Sequence, residues 1–347
     1  MLQSVEMSEN MILYHDLERN IKGIILDHQE KKIIGNFPIP NEYLLPSQQN
    51  ELTQTIEFPL TAYTSIEGTL IRVFYFQDEW RLSTSSKLNA FDSTWASPVS
   101  FGEQFGSYVN RISGVPLEVF LHSLDKSIKY FFILPTVGIN RLGTLPNSDL
   151  SDSPRIYLVG VETLDGSLKY GEAINSALVE HNLWSYLEQN TFTSMSELLH
   201  FVVDQNTNII IYKNDNSLTK IVSDYYKYRC DLRNNEIDLF LRYIQLLKDE
   251  PKKCDELVDM YPEIDLHEEV DLILIDIVRY IHNAYIKRYI QREYVVIPKP
   301  YYEIMKQCHA DYRTTFRKTT PNKIFDIILS QDATIILSLI RNFSVNE

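Results

Sequence analysis

The sequence predicts an α+β chain, with a β-rich domain over residues 1–226 followed by an all-helical domain over 227–347. Three observations predict it. All eleven glycines fall between Gly23 and Gly171, so turn-rich structure ends well before the C-terminus. Up to about residue 226, short apolar and β-branched runs recur between polar turns. Beyond it, apolar residues repeat at helical spacing and prolines stand where helices start or stop.

The elements follow in order. Residues 20–27 read as a short apolar strand, with 31–35 as its hairpin partner. Residues 37–54, with Pro38, Pro40 and Pro46, read as a connecting loop. Glu67-Gly68-Thr69 breaks the chain. Residues 70–76 form a strand rich in β-branched and aromatic side chains, 77–79 a polar turn and 80–84 an alternating return strand. Residues 101–124 carry mixed helical spacing. Strands follow at 128–134, 155–161, 208–213 and 218 onward, with a turn through 214–216.

In the C-terminal part, residues 235–248 place Ile237, Phe240, Leu241, Ile244 and Leu247 on one stripe. Pro251 stops that helix. Residues 268–291 form a longer one, with Val270, Ile273, Leu274, Ile277, Val278, Ile281, Ala284 and Tyr285 inward. Pro298 starts the next, reaching about Lys318, and short helices follow Pro321.

Composition narrows the function. At 347 residues, the chain is long enough for two cores. With 44% apolar and 23% charged residues it has the make-up of an ordinary soluble globular protein. Its 22 tyrosines suit large packed or partner-facing surfaces. Cys230, Cys254 and Cys308 are too widely spaced for a zinc site or a disulfide framework, which fits a reducing compartment. Neither a secretory signal nor a membrane-spanning run is expected. A net charge of −14 argues against a general grip on nucleic acid. Yet every charge in 255–276 is acidic, whereas ten bases in 279–323 face only Glu293, Glu303 and Asp311. Arg279, Lys287, Arg288, Arg313 and Arg317 are therefore RNA-contact candidates, interleaved with Tyr280, Tyr285, Tyr289 and Tyr312. The plainer account is a helix exterior with snorkelling side chains.

The layout of 62–95 is more specific than a generic hairpin. Glu67-Gly68-Thr69, a strand, an acidic turn and a strand ending in Ser85-Ser86-Lys87 resemble the active-site hairpin of covalent nucleotidyltransferases. The resemblance is strongest to the phage-type RNA ligases that repair broken tRNA. Their pattern is Lys-x-Asp-Gly-Ser, so the nucleophilic lysine falls on Ser65. Lys22-Gly23-Ile24 resembles their Arg-Gly-Ile strand. Pro135-Thr136 and Asn140-Arg141 match a strand, Pro-Thr, Asn-Arg, strand order, which puts the ribose-binding glutamate on Phe131. Thr207-Asn208 stand at their Glu-Gly, and Lys220 and Val222 at a Lys-x-Lys preceding Ser223-Asp224-Tyr225-Tyr226. The helical appendage is similar in class only.

The resemblance implies an RNA-ligase or ATP-grasp-like nucleotidyltransferase domain with antiparallel sheets. Covalent nucleotidyl transfer needs an amine to attack the α-phosphorus, cations to stabilise the charge that builds there, and carboxylates for metal and ribose. Here Ser65, Phe131, Thr207 and Val222 stand at four of those positions, while Glu67 and Gly68 survive in part and Lys220 survives. No lysine occurs between Lys32 and Lys87 to substitute for the nucleophile. The expectation is a degenerate site with no catalytic residue, no metal and no cofactor; an active enzyme would use ATP and Mg. Lys22, Arg72 and Lys220 are the relic nucleotide contacts, and Lys87 on the same hairpin could also reach a phosphate. The blander readings make Glu67 a solvated turn residue, Lys220 an exposed strand-end lysine, Phe131 core, and His282 and His309 packed or exposed rather than ligands. Protein partners are expected, with RNA as the alternative and no membrane. Similar Glu-Gly-Thr variants in large cytoplasmic DNA viruses imply a viral role in transcription, RNA processing or the virion, in the host cytoplasm.

Overall fold

A computed structural model describes residues 1–95, 97–135, 155–174, 184–213 and 217–344. The Thr136 to Arg141 part of the Pro-Thr and Asn-Arg motif, and the turn at 214–216, lie outside them. The chain divides into two compact units, Met1–Cys230 and Asp231–Glu347.

The first unit is mixed α+β and carries three sheets among the described residues. The strands Leu2–Met7, Ile12–Asp16, Ile21–Leu26 and Lys32–Ile34 form an antiparallel meander. A second sheet runs in the order Leu168–Lys169, Tyr157–Glu162, Lys129–Pro135, Gly68–Phe76, Glu79–Thr84, with Ser185–Tyr186 joined parallel to Tyr157–Glu162. The third runs Gln189–Phe192, Leu60–Thr64, Ile209–Tyr212, Leu218–Ser223, Asn41–Leu45.

The central hairpin forms where its alternation predicts. Gln77 and Asp78 both take positive φ, 51° and 63°, so the two-residue turn twists with its strands. Ile71, Val73 and Phe74 are fully buried. Gly68 is required by close approach, because a Cβ there would lie 2.3 Å from the Leu134 carbonyl oxygen. The mixed stretch after the hairpin resolves into two helices. Ser100 and Glu103 form a capping box on Phe101–Ser113, Gly114 ends that helix in a left-handed conformation, and Leu117–Ser123 follows.

The segment 37–54 is not a plain loop. It contains the strand Asn41–Leu45, paired parallel to Leu218–Ser223, and the short helix Gln49–Thr53. Pro38, Pro40 and Pro46 bracket that strand rather than interrupt it. Its hydrogen-bond partner lies so far along the chain that no local pattern announces it. The N-terminal strands Leu2–Met7 and Ile12–Asp16, and Leu60–Thr64, were likewise not expected.

All elements of the second unit are helical among the described residues. Asp238 accepts from the Phe240 and Leu241 amides and so starts the helix Leu239–Asp249. Ile237 is thereby left outside and 47% exposed; of the expected stripe Ile244 is buried, while Phe240, Leu241 and Leu247 are half-buried and Leu239, Tyr243 and Leu246 complete the buried face. The long helix expected at 268–291 is an α-helix, Ile273–Tyr285, with wider π-type turns at His267–Leu272 and Ile286–Gln291. Its inward residues Leu274, Ile277, Val278, Ile281, Ala284 and Tyr285 are buried. Lys299–Thr315, Pro321–Leu329 and Ala333–Ser344 complete the unit. No described helix is long and apolar enough to cross a membrane.

Candidate functional site

The strand Leu60–Thr64 belongs to one sheet and Gly68–Phe76 to the next, so Ser65 sits at the crossover between them. Its amide donates to the Asn208 carbonyl at 2.8 Å, which fixes the crossover against the five-stranded sheet. Ser65 opens into a cavity of about 280 Å³. The cavity takes Leu70, Ile133 and Val159 from one sheet, Ile210, Tyr212 and Leu218 from the other, and the residues Phe37, Pro38, Ile39 and Pro40 as a further wall. Among the described lining residues Lys22 is the one charged group, and there is no carboxylate. Asn36 holds this rim together. Its amide donates to the Lys22 carbonyl at 2.5 Å and to Ser85 Oγ at 3.1 Å.

Phe131 is fully buried, with its ring 5.0 Å from that of Phe37. Phe37 in turn lies over Gly160, where a Cβ would come within 2.4 Å of the ring. Tyr212 stacks on Tyr170 at 4.3 Å and meets Tyr63 edge-on at 5.5 Å. Burial pushes the Tyr212 phenol well above its usual range, so it stays a neutral wall.

Glu67 is engaged, not simply solvated as the bland reading had it. The Tyr226 hydroxyl bonds it and also Cys230. Burial first, and then the Glu67 charge, raise the Tyr226 phenol, and burial raises the Cys230 thiol. The Lys220 ammonium lies 5.2 Å from the Tyr226 ring centre and 3.9 Å from Glu42 Oε2. Thr207 is buried, with its hydroxyl on the Gln205 carbonyl at 3.2 Å, and Val222 is wholly inside the sheet core. Neither lines the cavity.

Arg72 corrects the expectation of a relic phosphate contact. It is completely buried, and its guanidinium donates to the carbonyls of Gly23, Gly35 and Thr84. Burial lowers it to about 9, opposed by the charge of Glu162. Its fork is taken up inside the protein. Lys87 lies 3.7 Å from Glu6, in an ion pair. Sequence reasoning missed Glu162 altogether. This buried carboxylate bonds Lys129 at 2.8 Å, Lys32 at 3.2 Å and the Gly35 amide at 2.7 Å. The available signal was one acid ending an otherwise apolar strand. The Phe37–Pro40 wall was hidden inside the supposed loop.

In the second unit, Arg279 pairs with Asp276 at 3.0 Å. The Arg288 guanidinium lies 5.1 Å from the Tyr302 ring centre, and Lys306 lies 5.7 Å from the same ring. His309 stacks flat on Tyr289 at 3.8 Å, while His282 is half-buried. Lys287, Arg313 and Arg317 are exposed. Among the described residues, no group of three or more His, Cys, Asp or Glu is placed to hold a metal ion.

No family model matches the chain. It is similar to two viral proteins, as the resemblance to viral variants implied. An immediate-early protein ICP-46 homolog of Invertebrate iridescent virus 6 is 24% identical, over 94% of this chain and 77% of the relative. Its counterpart in Invertebrate iridescent virus 3 is 26% identical over 78% of this chain, which spans only 60% of that relative's length. Among solved structures, one assigned as an ATP-dependent DNA ligase from Aquifex aeolicus aligns at a TM-score of 0.43 and 11% identity, covering 90% of this chain and 77% of that one. At that distance it carries no residue roles.

Proposed function

We propose that the first unit is a nucleotidyltransferase domain of the RNA-ligase type whose transfer site no longer reacts, kept by a virus as a binding or assembly module. One observation carries this reading. The crossover that should present an amine presents the Ser65 hydroxyl to a cavity with a single lysine and no carboxylate among its described lining. A hydroxyl has no nitrogen to form the phosphoramidate and, with no carboxylate or histidine among the described lining to take its proton, is not activated to form a phosphoester instead. Lys22 alone cannot supply the charge that phosphoryl chemistry requires. The sequence register from Glu67-Gly68-Thr69 to Lys220 and Ser223-Asp224 supports the RNA-ligase type. The relatives' names place them in the immediate-early phase of infection. We extend that timing to this chain, acting in the host cytoplasm or virion on protein partners and without ATP or Mg.

Incubation with α-labelled ATP or GTP and Mg, followed by a denaturing gel, tests the reading. No labelled band at the chain's mass is expected. A covalent band overturns it and restores the active ligase or capping-type enzyme. A stoichiometric protein complex on pull-down is the positive expectation, and a partnerless monomer counts against it.

A second reading has its own support. The Tyr289–His309 stack and the Arg288–Tyr302 contact put flat rings beside cations on the second unit, as single-stranded RNA binders do. It predicts salt-sensitive RNA binding that weakens in R288E and R313E. Unchanged affinity eliminates it.

A further inference from the structure

We propose that the cavity beside Ser65 binds a small amphipathic monoanion, in its simplest form a medium-chain carboxylate, with the hydrocarbon between the sheets and the head group at Lys22. The inference rests on the reading of this cavity as non-catalytic, and the two are tested by different measurements.

The volume comes first. About 280 Å³ lies just under the range of about 300–1,000 Å³ that ligand pockets occupy, so the occupant is small. The walls come next. Leu70, Ile133 and Val159 face Ile210 and Leu218 across the cavity, and all are aliphatic. A nucleoside brings base edges and ribose hydroxyls that need partners. The Asn36 amide is already committed to the Lys22 carbonyl and Ser85. The remaining polar side-chain groups of the described lining are the Ser65, Ser85 and Tyr212 hydroxyls and the Lys22 ammonium. With no carboxylate and no uncommitted amide to pair base edges and ribose hydroxyls together, a nucleoside would bury polar atoms short of partners. A hydrocarbon body has none to lose.

The cavity is also built, not merely left open. Phe131 fills the place of the ribose-binding glutamate and packs on Phe37, which is seated against Gly160. The apolar wall is therefore backed by well-packed aromatic rings. Lys22 is exposed on the strand Ile21–Leu26 while still lining the cavity. An anionic head there stays in water while its tail is buried, as an amphiphile requires. On a chain of net charge −14, a lysine at the mouth gives local selection for an anion.

Titration calorimetry of the full chain with sodium decanoate, kept below its micelle concentration, tests the proposal. One-to-one binding with a negative heat-capacity change is expected, weakened tenfold or more by K22E and restored by K22R. I210W fills the cavity and removes binding, with a cooperative thermal melt as its folding control. Should I210W fail to fold, the Lys22 pair decides alone. The proposal is overturned by the absence of a saturable signal, by K22E binding like the wild type, or by AMP binding more tightly than decanoate. A covalent label from ATP would sink the non-catalytic reading, whereas the decanoate titration reports on the cavity's ligand, so the two failures are told apart.

Discussion

Two places on one strand pair, two residues apart, have opposite chemistry. In the pairing of Lys129–Pro135 with Tyr157–Glu162, Lys129 stands opposite Glu162 and Phe131 opposite Gly160. The first place keeps buried charge, with Glu162 held by two lysines and a backbone amide. The second is wholly apolar, with Phe131 against Phe37 where the resemblance puts a glutamate. Arg72, opposite Phe131 on the neighbouring strand, belongs to the first kind, since main-chain carbonyls take up its fork. A buried charge persists where the protein itself supplies the partner. At Phe131 no such partner is supplied, and an unpaired charge buried there would be orphaned, whereas apolar packing on Phe37 is not.

The largest effect should come from breaking the charged place. Arg72→Ala leaves three buried carbonyls without their donor and removes the charge that acts on Glu162, and should lower the unfolding free energy by about 3–5 kcal/mol in urea titrations. A loss below about 1 kcal/mol would mean that the cluster is incidental to stability. Next is the apolar place. Phe131→Leu keeps the chemistry and most of the volume and should cost no more than about 1.5 kcal/mol by the same measurement. A larger loss would show that ring stacking on Phe37 matters beyond volume.

Installing the amine that the resemblance would put at Ser65 should hardly register. Ser65→Lys sits at a half-buried crossover and should shift stability by no more than about 0.5 kcal/mol while still giving no covalent nucleotide label. Labelling of that variant would overturn the proposal of a non-reactive site. A further small effect tests the same rule at a half-exposed site in the second unit. His267 bonds Asp271 at 3.0 Å and lies 3.4 Å from Asp255, and the Asp271 hydrogen bond raises its affinity for protons. Its stabilisation is fully present below the unfolded value of about 6.5 and fades as pH rises through the higher folded one. With the side chain 47% exposed, the effect should stay under about 1 kcal/mol. His267→Gln should therefore narrow the stability difference between pH 5.5 and 8.5, and an unchanged difference would remove the ion pair from the account.

The sequence by itself determined the central hairpin, the end of β structure to within a few residues (about residue 226 expected, Ser223 observed) and the buried stripe of Ile273–Tyr285, because period-2 and period-3.6 patterns act between near neighbours. It also carries the register that the resemblance implies, with Ser65 at the nucleophile's position. The tertiary structure alone decided what those side chains do. Arg72 looks like a strand cation until the Gly23, Gly35 and Thr84 carbonyls close around it, and Glu67 looks like a turn residue until Tyr226 reaches it. The strand Asn41–Leu45 exists because Leu218–Ser223 lies beside it. Burial, hydrogen-bond partners and the cavity itself are made by groups far apart in the chain, and a linear pattern of residues carries no record of which of them will meet.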